Sequence, residues 1–459
     1  MTYQLDVAEG FGARLSRHLS ALAGLAWPVM LSRAGILAMA LVDVVMLGRY
    51  DTLALGQASL ALGLFIPIMV TCVGLQMGTL SIVARRYGAE QPGECVAAWR
   101  RALPWATVTS LVGAALIWEG ERWLLLIGQD PELAAGGGGV ARMLAPGLML
   151  QVLYVACAFY LEGTGRPKPA LVAMLVANLM NVGLNWLFIY GNGGAPELGA
   201  VGSALATSLV RAFLFLSLLI YILRLPELRA ARGRLGGGFW GPGGWAAGRE
   251  MRRLGKAAGL SVFFETTAFG ALTQMAGLIG PTALGAYTIA HNLEATVFMV
   301  ALGLSVATGV RTGAAAGAGR MDEAAFAGWS GLVACALVMA LIGATIHAAG
   351  PWIAEIYTSE AALAAAAAAL LPIVAFSVIP DGMQIVVGQC NRALGDAYVA
   401  ASLYFVAFWG IMVPLAALFA LHLDMGAPGL MVATVVGAST SVLMQAARFR
   451  ALLRRGPPD

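Results

Sequence analysis

The sequence predicts an all-α membrane protein of twelve transmembrane helices, in two six-helix lobes related by a pseudo-two-fold axis along the membrane normal. Three observations predict it. Hydrophobic residues make up 59% of the chain and charged residues 11%, with a mean hydropathy of +0.80, whereas soluble domains carry roughly 25% charged residues. Apolar stretches of about 20 residues, each able to cross a hydrocarbon core of ~30 Å, recur along the whole length. An internal repeat divides those stretches into two sets.

The expected spans of the first set are 20–48, 53–84, 102–127, 139–163, 168–191 and 199–223; the second set runs 254–280, 284–310, 326–350, 362–390, 397–422 and 427–447. Gly/Pro clusters such as Gly165-Arg166-Pro167-Lys168-Pro169 and Gly280-Pro281 mark their ends. Retained cytoplasmic loops carry an excess of Lys and Arg. Threading the spans from an inside N-terminus puts about 23 of the 28 basic residues on the cytoplasmic side, leaving Arg49, Arg122 and Arg142 outside and Arg33 and Arg211 within spans. The net charge of +4 therefore reflects topology and argues against nucleic-acid binding. The N-terminal stretch lacks the pattern of a cleaved signal peptide, so the first span is expected to be retained. Both termini are expected in the cytoplasm of a bacterial cell, with the bundle in its inner membrane. Five scattered cysteines, none in a CxxC pair, support neither a disulfide framework nor a zinc site.

A shift of 229 residues lays Leu55-Gly56 on Leu284-Gly285, Gly74-Leu75 on Gly303-Leu304, Gly88-Ala89 on Gly317-Ala318 and Glu94 on Glu323. At nearly the same shift, Leu198-Gly199-Ala200 meets Met425-Gly426-Ala427. Agreement between two separate blocks argues for duplication. An even number of spans per half makes the repeats parallel, as in some transporters. The expected organisation is an N-lobe over 1–225, a cytoplasmic linker over 226–253 and a C-lobe over 254–459. The linker, rich in Gly and Arg and containing Gly236-Gly237-Gly238-Phe239-Trp240, reads as a slack tether. The nearest string to a P-loop, Arg253-Leu254-Gly255-Lys256-Ala257, lacks both the Ser/Thr after Lys and the earlier glycine. Transport driven by an ion gradient is expected, and no enzymatic chemistry.

An ionised residue near a helix centre costs ~2.5–3.5 kcal/mol on insertion scales and ordinarily faces a cavity. Asp43, Glu265 and Asp381 stand in apolar runs, and His291 and Glu294 lie three apart on one face of the eighth span. Carboxylates exchange protons or hold hard cations, which suits ion coupling. The competing readings are a cap or interfacial carboxylate for Asp43, pairing with arginine for Glu265 and Asp381, and a structural hydrogen-bonded pair for His291 with Glu294. Snorkelling or lobe packing competes for Arg33 and Arg211. Asn178, Asn181 and Asn185 form one stripe in the fifth span, either a polar site or a helix–helix seam. Most of the 20 methionines and 11 tryptophans read as lipid contacts or interface anchors, with pocket lining as the alternative.

Taken in order, Ala26-Trp27-Pro28-Val29, Val42-Asp43-Val44-Val45-Met46-Leu47-Gly48, Asn181-Val182-Gly183-Leu184-Asn185-Trp186, Phe263-Phe264-Glu265, Ala290-His291 and Asp381-Gly382-Met383-Gln384 resemble the multidrug and toxic compound extrusion (MATE) family, in its NorM-like bacterial branch. The resemblance implies two lobes around a central cleft and export of drugs and organic cations in exchange for Na⁺ or H⁺, with no other cofactor. It also implies an N-lobe ion site at Asp43 with Asn181, Asn185 and Thr207, and a helix that bends at Pro28. In the C-lobe it implies an acidic pair, Glu265 and Asp381, as a Na⁺ site. Candidate substrate-binding residues are Asp43, Glu265, His291, Glu294 and Asp381. Ser377 stands where NorM-like proteins can carry tyrosine, and Asn292 where the residue after the histidine is often Gln. The alternative is a lipid-linked sugar or polysaccharide flippase of related architecture, which needs a basic cleft. A membrane-embedded enzyme, which would cluster its groups near one face, is a third.

Overall fold

The computed structural model describes residues 11–231 and 239–456. In the first half, helices α1 (Phe11–Tyr50), α2 (Thr52–Gly88), α3 (Pro92–Trp118), α4 (Pro131–Gly163), α5 (Lys168–Tyr190) and α6 (Gly199–Leu223) follow one another. The second half holds α7 (Arg249–Ile279), α8 (Pro281–Gly317), α9 (Met321–Tyr357), α10 (Ala361–Ala393), α11 (Tyr398–His422) and α12 (Ala427–Leu453). Among the described residues eleven helices are long and apolar enough to cross a membrane; α3, with the short helix Gly120–Leu126 bent 52° from it, makes a twelfth.

Local chemistry sets the ends. Asp51 accepts from the Ala54 amide at 2.9 Å and Asp130 from the Glu132 amide at 2.9 Å, each satisfying a first-turn donor of the helix that follows. Gly191 ends α5 in the left-handed region at φ 68, open to glycine at little cost. The expected third span, 102–127, needs correction: the helix begins at Pro92 and breaks at Glu119, where Glu119–Arg122 (2.7 Å) and Glu121–Arg142 (2.6 Å) ion pairs occupy the bend. Most other helices extend several residues beyond the expected spans, because hydropathy registers the bilayer core and not the polar turns outside it.

The linker departs from expectation too. Residues Pro226–Ala231 and Gly244–Ala247 are helical, and α7 already begins at Arg249. Gly236, Gly237 and Gly238 lie outside the described residues. The part that is described does not hang loose: Arg101 Nε donates to the Pro242 carbonyl at 2.7 Å, Trp245 packs against Trp105 and Trp240, and the Arg252 guanidinium lies 3.5 Å over the Trp245 ring. Trp240 and Trp245, without a role in the sequence pattern, thus tie α3 to the start of α7.

Helix packing repeats between the halves. In the first, α1 packs on α5, α2 on α3 and α4, and α4 and α5 on α6; in the second, α7 packs on α11, α8 on α9 and α10, and α10 and α11 on α12. Between the halves α1 meets α8, α7 meets α2, and α2 meets α8. Gly88 abuts Ala314 while Gly317 abuts Arg85, and Gly74 abuts Gly259 while Gly303 abuts Met30. Each contact becomes its partner on a shift of 229 residues, the self-complementary relation a two-fold axis imposes. Glycine is required here: a Cβ on Gly88 or Gly317 would run into the backbone of the opposite helix.

Two hydrophobic cores result, and the first helix of each half serves both. Leu22 and Ala26 of α1 belong to the second core, and Val29, Met39 and Leu47 to the first; Met251, Leu254 and Ala257 of α7 belong to the first, and Ala268, Leu272 and Ala276 to the second. Burial along these helices locates a cleft. In α7, residues are buried on several faces from Met251 to Ser261 and then only along one stripe, Ala268, Leu272 and Ala276; in α8 the order reverses, from a stripe to all-round burial between Gly303 and Gly313. The halves are therefore closed together at the end holding the start of α1 and α7, and part towards the other. Ion pairs of Arg14 with Glu323 (2.9 Å) and of Arg85 with Glu250, together with a His18–Glu323 hydrogen bond (2.8 Å), lock the closed end.

Candidate functional site

Asp43 sits well past the middle of α1, half-buried on the parting side. Asn181 and Asn185, one turn apart on α5, both donate through Nδ2 to Asp43 Oδ1, at 3.0 and 2.6 Å, and Thr207 of α6 donates to Oδ2 at 3.0 Å. The i, i+4 spacing brings both amides to one carboxylate. The groups that hydrogen-bond Asp43 are neutral, the Arg211 guanidinium acts on it electrostatically, and the Oδ1 atoms of Asn181 and Asn185 are buried without a partner, leaving two carbonyl oxygens available beside the acid. Asn178, in the same expected stripe, is not part of this cluster: its amide donates to the Met174 carbonyl at 2.9 Å. Pro28 lies buried within α1, which continues through it. Arg33 pairs with Glu162 of α4 at 3.5 Å, and Arg211 lies 4.6 Å over the Phe65 ring.

In the second half, Gln384 of α10 is the hub. Its Nε2 donates to Glu265 of α7 at 2.7 Å and reaches Asp381 at 3.3 Å, while its Oε1 accepts from Ser441 of α12 at 3.3 Å. Glu294 is buried, 3% exposed, and accepts from Ser377 at 2.6 Å; His291 Nδ1 stands 4.0 Å from it, an ion-pair distance and not a hydrogen bond. Asp381 is 5% exposed and Glu265 half-buried. Trp409 of α11, in a π-helical stretch Val406–Met412, donates to the Phe264 carbonyl at 3.1 Å and fixes the turn that carries Glu265. Among the described residues no three His, Cys, Asp or Glu side chains converge as a metal cage. The five cysteines are free and buried.

The structure thus gathers Asp43, Asn181, Asn185 and Thr207 into one cluster and Glu265, Asp381, His291 and Glu294 into the neighbourhood of another. Gln384 and Ser377 take on roles here that their residue types alone do not announce. The signal that could have found them is spacing: Gln384 follows Asp381 by three residues and Ser377 precedes it by four, one helical face in α10.

Two pseudo-symmetric lobes of membrane-spanning helices, each holding buried or half-buried acids within its spans, define a polytopic membrane transporter by class. The MatE family model matches the chain twice, over residues 28–187 and 257–418, once in each half and more than half the sequence together. The chain belongs to the MatE family. It is 34% identical to "Probable multidrug resistance protein NorM" of Caulobacter vibrioides over 93% of this chain and 90% of that one. It is 31% identical to "Multidrug resistance protein PmpM" of Pseudomonas aeruginosa over 97% and 94%. Its fold is that of the eukaryotic MATE transporter AtDTX14, with a TM-score of 0.86 at 18% identity over 96% of this chain and 99% of that one.

Proposed function

We propose that this chain exports drugs and toxic organic, often cationic, compounds across a bacterial inner membrane by alternating access, in exchange for inward Na⁺ or H⁺. Its relatives' names, multidrug resistance proteins, supply the substrate class. One observation carries the coupling: Asp43, half-buried in the second half of α1, is held by three neutral donors beside two unpartnered amide oxygens. A carboxylate so placed keeps its charge available to an arriving cation. A proton or Na⁺ on Asp43 removes the charge that favours a cationic drug, so ion and drug oppose one another at the same place. Each ligand shifts the equilibrium between the two cleft openings by its differential affinity, and one charge crossing 100 mV contributes ~2.3 kcal/mol. Glu265 and Asp381, bridged by Gln384, form a second candidate ion site.

A flippase for lipid-linked sugars would need a basic cleft, and the two intramembrane arginines lie inside the first half, Arg33 paired with Glu162 and Arg211 over the Phe65 ring with its charge acting on Asp43. The test is efflux of ethidium or norfloxacin by the chain in proteoliposomes with Na⁺ and pH gradients imposed separately. At least one gradient alone is expected to drive export. Transport indifferent to both would overturn the reading.

A further inference from the structure

A cavity of about 720 Å³ opens beside α1, α5 and α6, away from both acid clusters. Its origin is the partition of α1 between the two cores: because Leu22 and Ala26 pack into the second half, the start of α1 stands off its own half and leaves a gap beside α5 and α6. The gap is walled by Val172, Val176 and Phe213 and bordered at the closed end of the molecule by Arg166, Lys168 and Tyr221. Val172 and Val176 are exposed, on helices apolar enough to face lipid.

We propose that this groove binds one anionic phospholipid, with its phosphate on Lys168 and the Tyr221 hydroxyl and an acyl chain along Val172, Val176 and Phe213. Charge complementarity selects this occupant. Lys168 is exposed and forms no ion pair among the described residues, and Arg166 adds a second cation, shared with Glu227 at 2.6 Å. That hydrogen-bonded guanidinium holds the Glu227 carboxyl below its ordinary range, so the acid remains ionised and Arg166 remains in place at the rim. The repeat provides an internal control. Gly165-Arg166-Pro167-Lys168 corresponds to Gly395-Asp396-Ala397-Tyr398, with both glycines left-handed (φ 72 and 87), yet in the second half the cations are replaced and Asp396 is taken up by Arg448 at 2.9 Å. The loop is basic only where the groove opens. A basic pocket between membrane helices, near the headgroup level, is the chemistry that holds acidic lipid headgroups. The bound lipid would favour the conformation seen here, since α1 must stay docked on the opposite half for the groove to exist.

Native mass spectrometry of the full chain with equimolar phosphatidylglycerol and phosphatidylcholine tests this. One phosphatidylglycerol retained in preference is expected. Lys168→Ala should lower that preference about fivefold, the effect of one basic residue near an anionic surface. Gly24→Leu, at a position with open space around its Cβ, should intrude on the groove and lower the preference while leaving phosphatidylcholine adducts and the melting midpoint unchanged. Equal retention of the two lipids, wild-type preference in both variants, or full competition by glycerol phosphate at lipid concentrations would each overturn the proposal.

Discussion

Asp43 concentrates the energetics of the first half in one side chain. Placing an ionised carboxylate in a membrane helix costs ~2.5–3.5 kcal/mol, and hydrogen bonds to a charged group contribute about 1.5–3 kcal/mol each, so three donors are enough to hold the anion. Asp43→Asn keeps the shape and removes the charge; transport by reconstituted protein is expected to fall roughly tenfold or more, with the melting midpoint little changed. Thr207→Ala removes one donor of the three and should shift ion sensitivity by roughly tenfold or more, the change that about 1.5 kcal/mol corresponds to. Efflux by Asp43→Asn at the wild-type rate would exclude it from coupling. In the second half, Ser377→Ala deprives Glu294 of its 2.6 Å bond while its Oε2 already lacks a partner. That variant should lose about 1–3 kcal/mol of stability, read as a lowered midpoint in thermal melts. Asp43 was legible in the sequence because a charge in an apolar run is costly, and few structural roles offset that cost. Gln384 was less so: a neutral amide in a membrane helix carries no comparable cost, its spacing from Asp381 marks a shared face of α10, and the convergence of α7, α10 and α12 joins it to Glu265 and Ser441 as well.

At the scale of elements, the contact between α2 and α8 is made by absent side chains. Gly88 and Gly317 each lie against opposing backbone, which cannot yield as a flexible side chain would. Gly317→Leu is expected to destabilise the closed end by about 1–3 kcal/mol, the usual cost of overpacking. The same substitution at Gly24, with open space around it, should leave the melting midpoint in place; equal effects at both sites would remove the close-approach argument. The existence of the spans was readable from hydropathy. Their ends were not, since helices such as α1 and α9 run on through polar turns that pack between the halves. The linker escapes a compositional reading for a related reason: glycine and arginine content suggests slack, but Trp245 between Trp105 and Arg252 supplies the packing that holds it.

For the whole molecule, the repeat announced in sequence by a shift of 229 residues is the relation that the glycine contacts obey in space. Which end of the cleft is closed was not readable, because bundles closed at either end can share one sequence and differ only by the packing of the same helices. Here α1 and α7 each cross into the opposite core at one end, and Arg14 and His18 of α1 meet Glu323 of α9 there. If transport requires this end to part, then holding it shut must arrest turnover without disturbing either acid cluster. Arg14→Cys with Glu323→Cys places two thiols where the 2.9 Å ion pair now stands, against a background of native cysteines that are all buried. Bridging them with a short bismaleimide should reduce efflux to the level of empty proteoliposomes, while each single variant, treated alike, keeps most of its activity. Each single variant loses the same ion pair without being bridged, so loss of the pair itself cannot produce that arrest. Undiminished efflux by a fully bridged protein would mean that the halves do not separate at this end during transport.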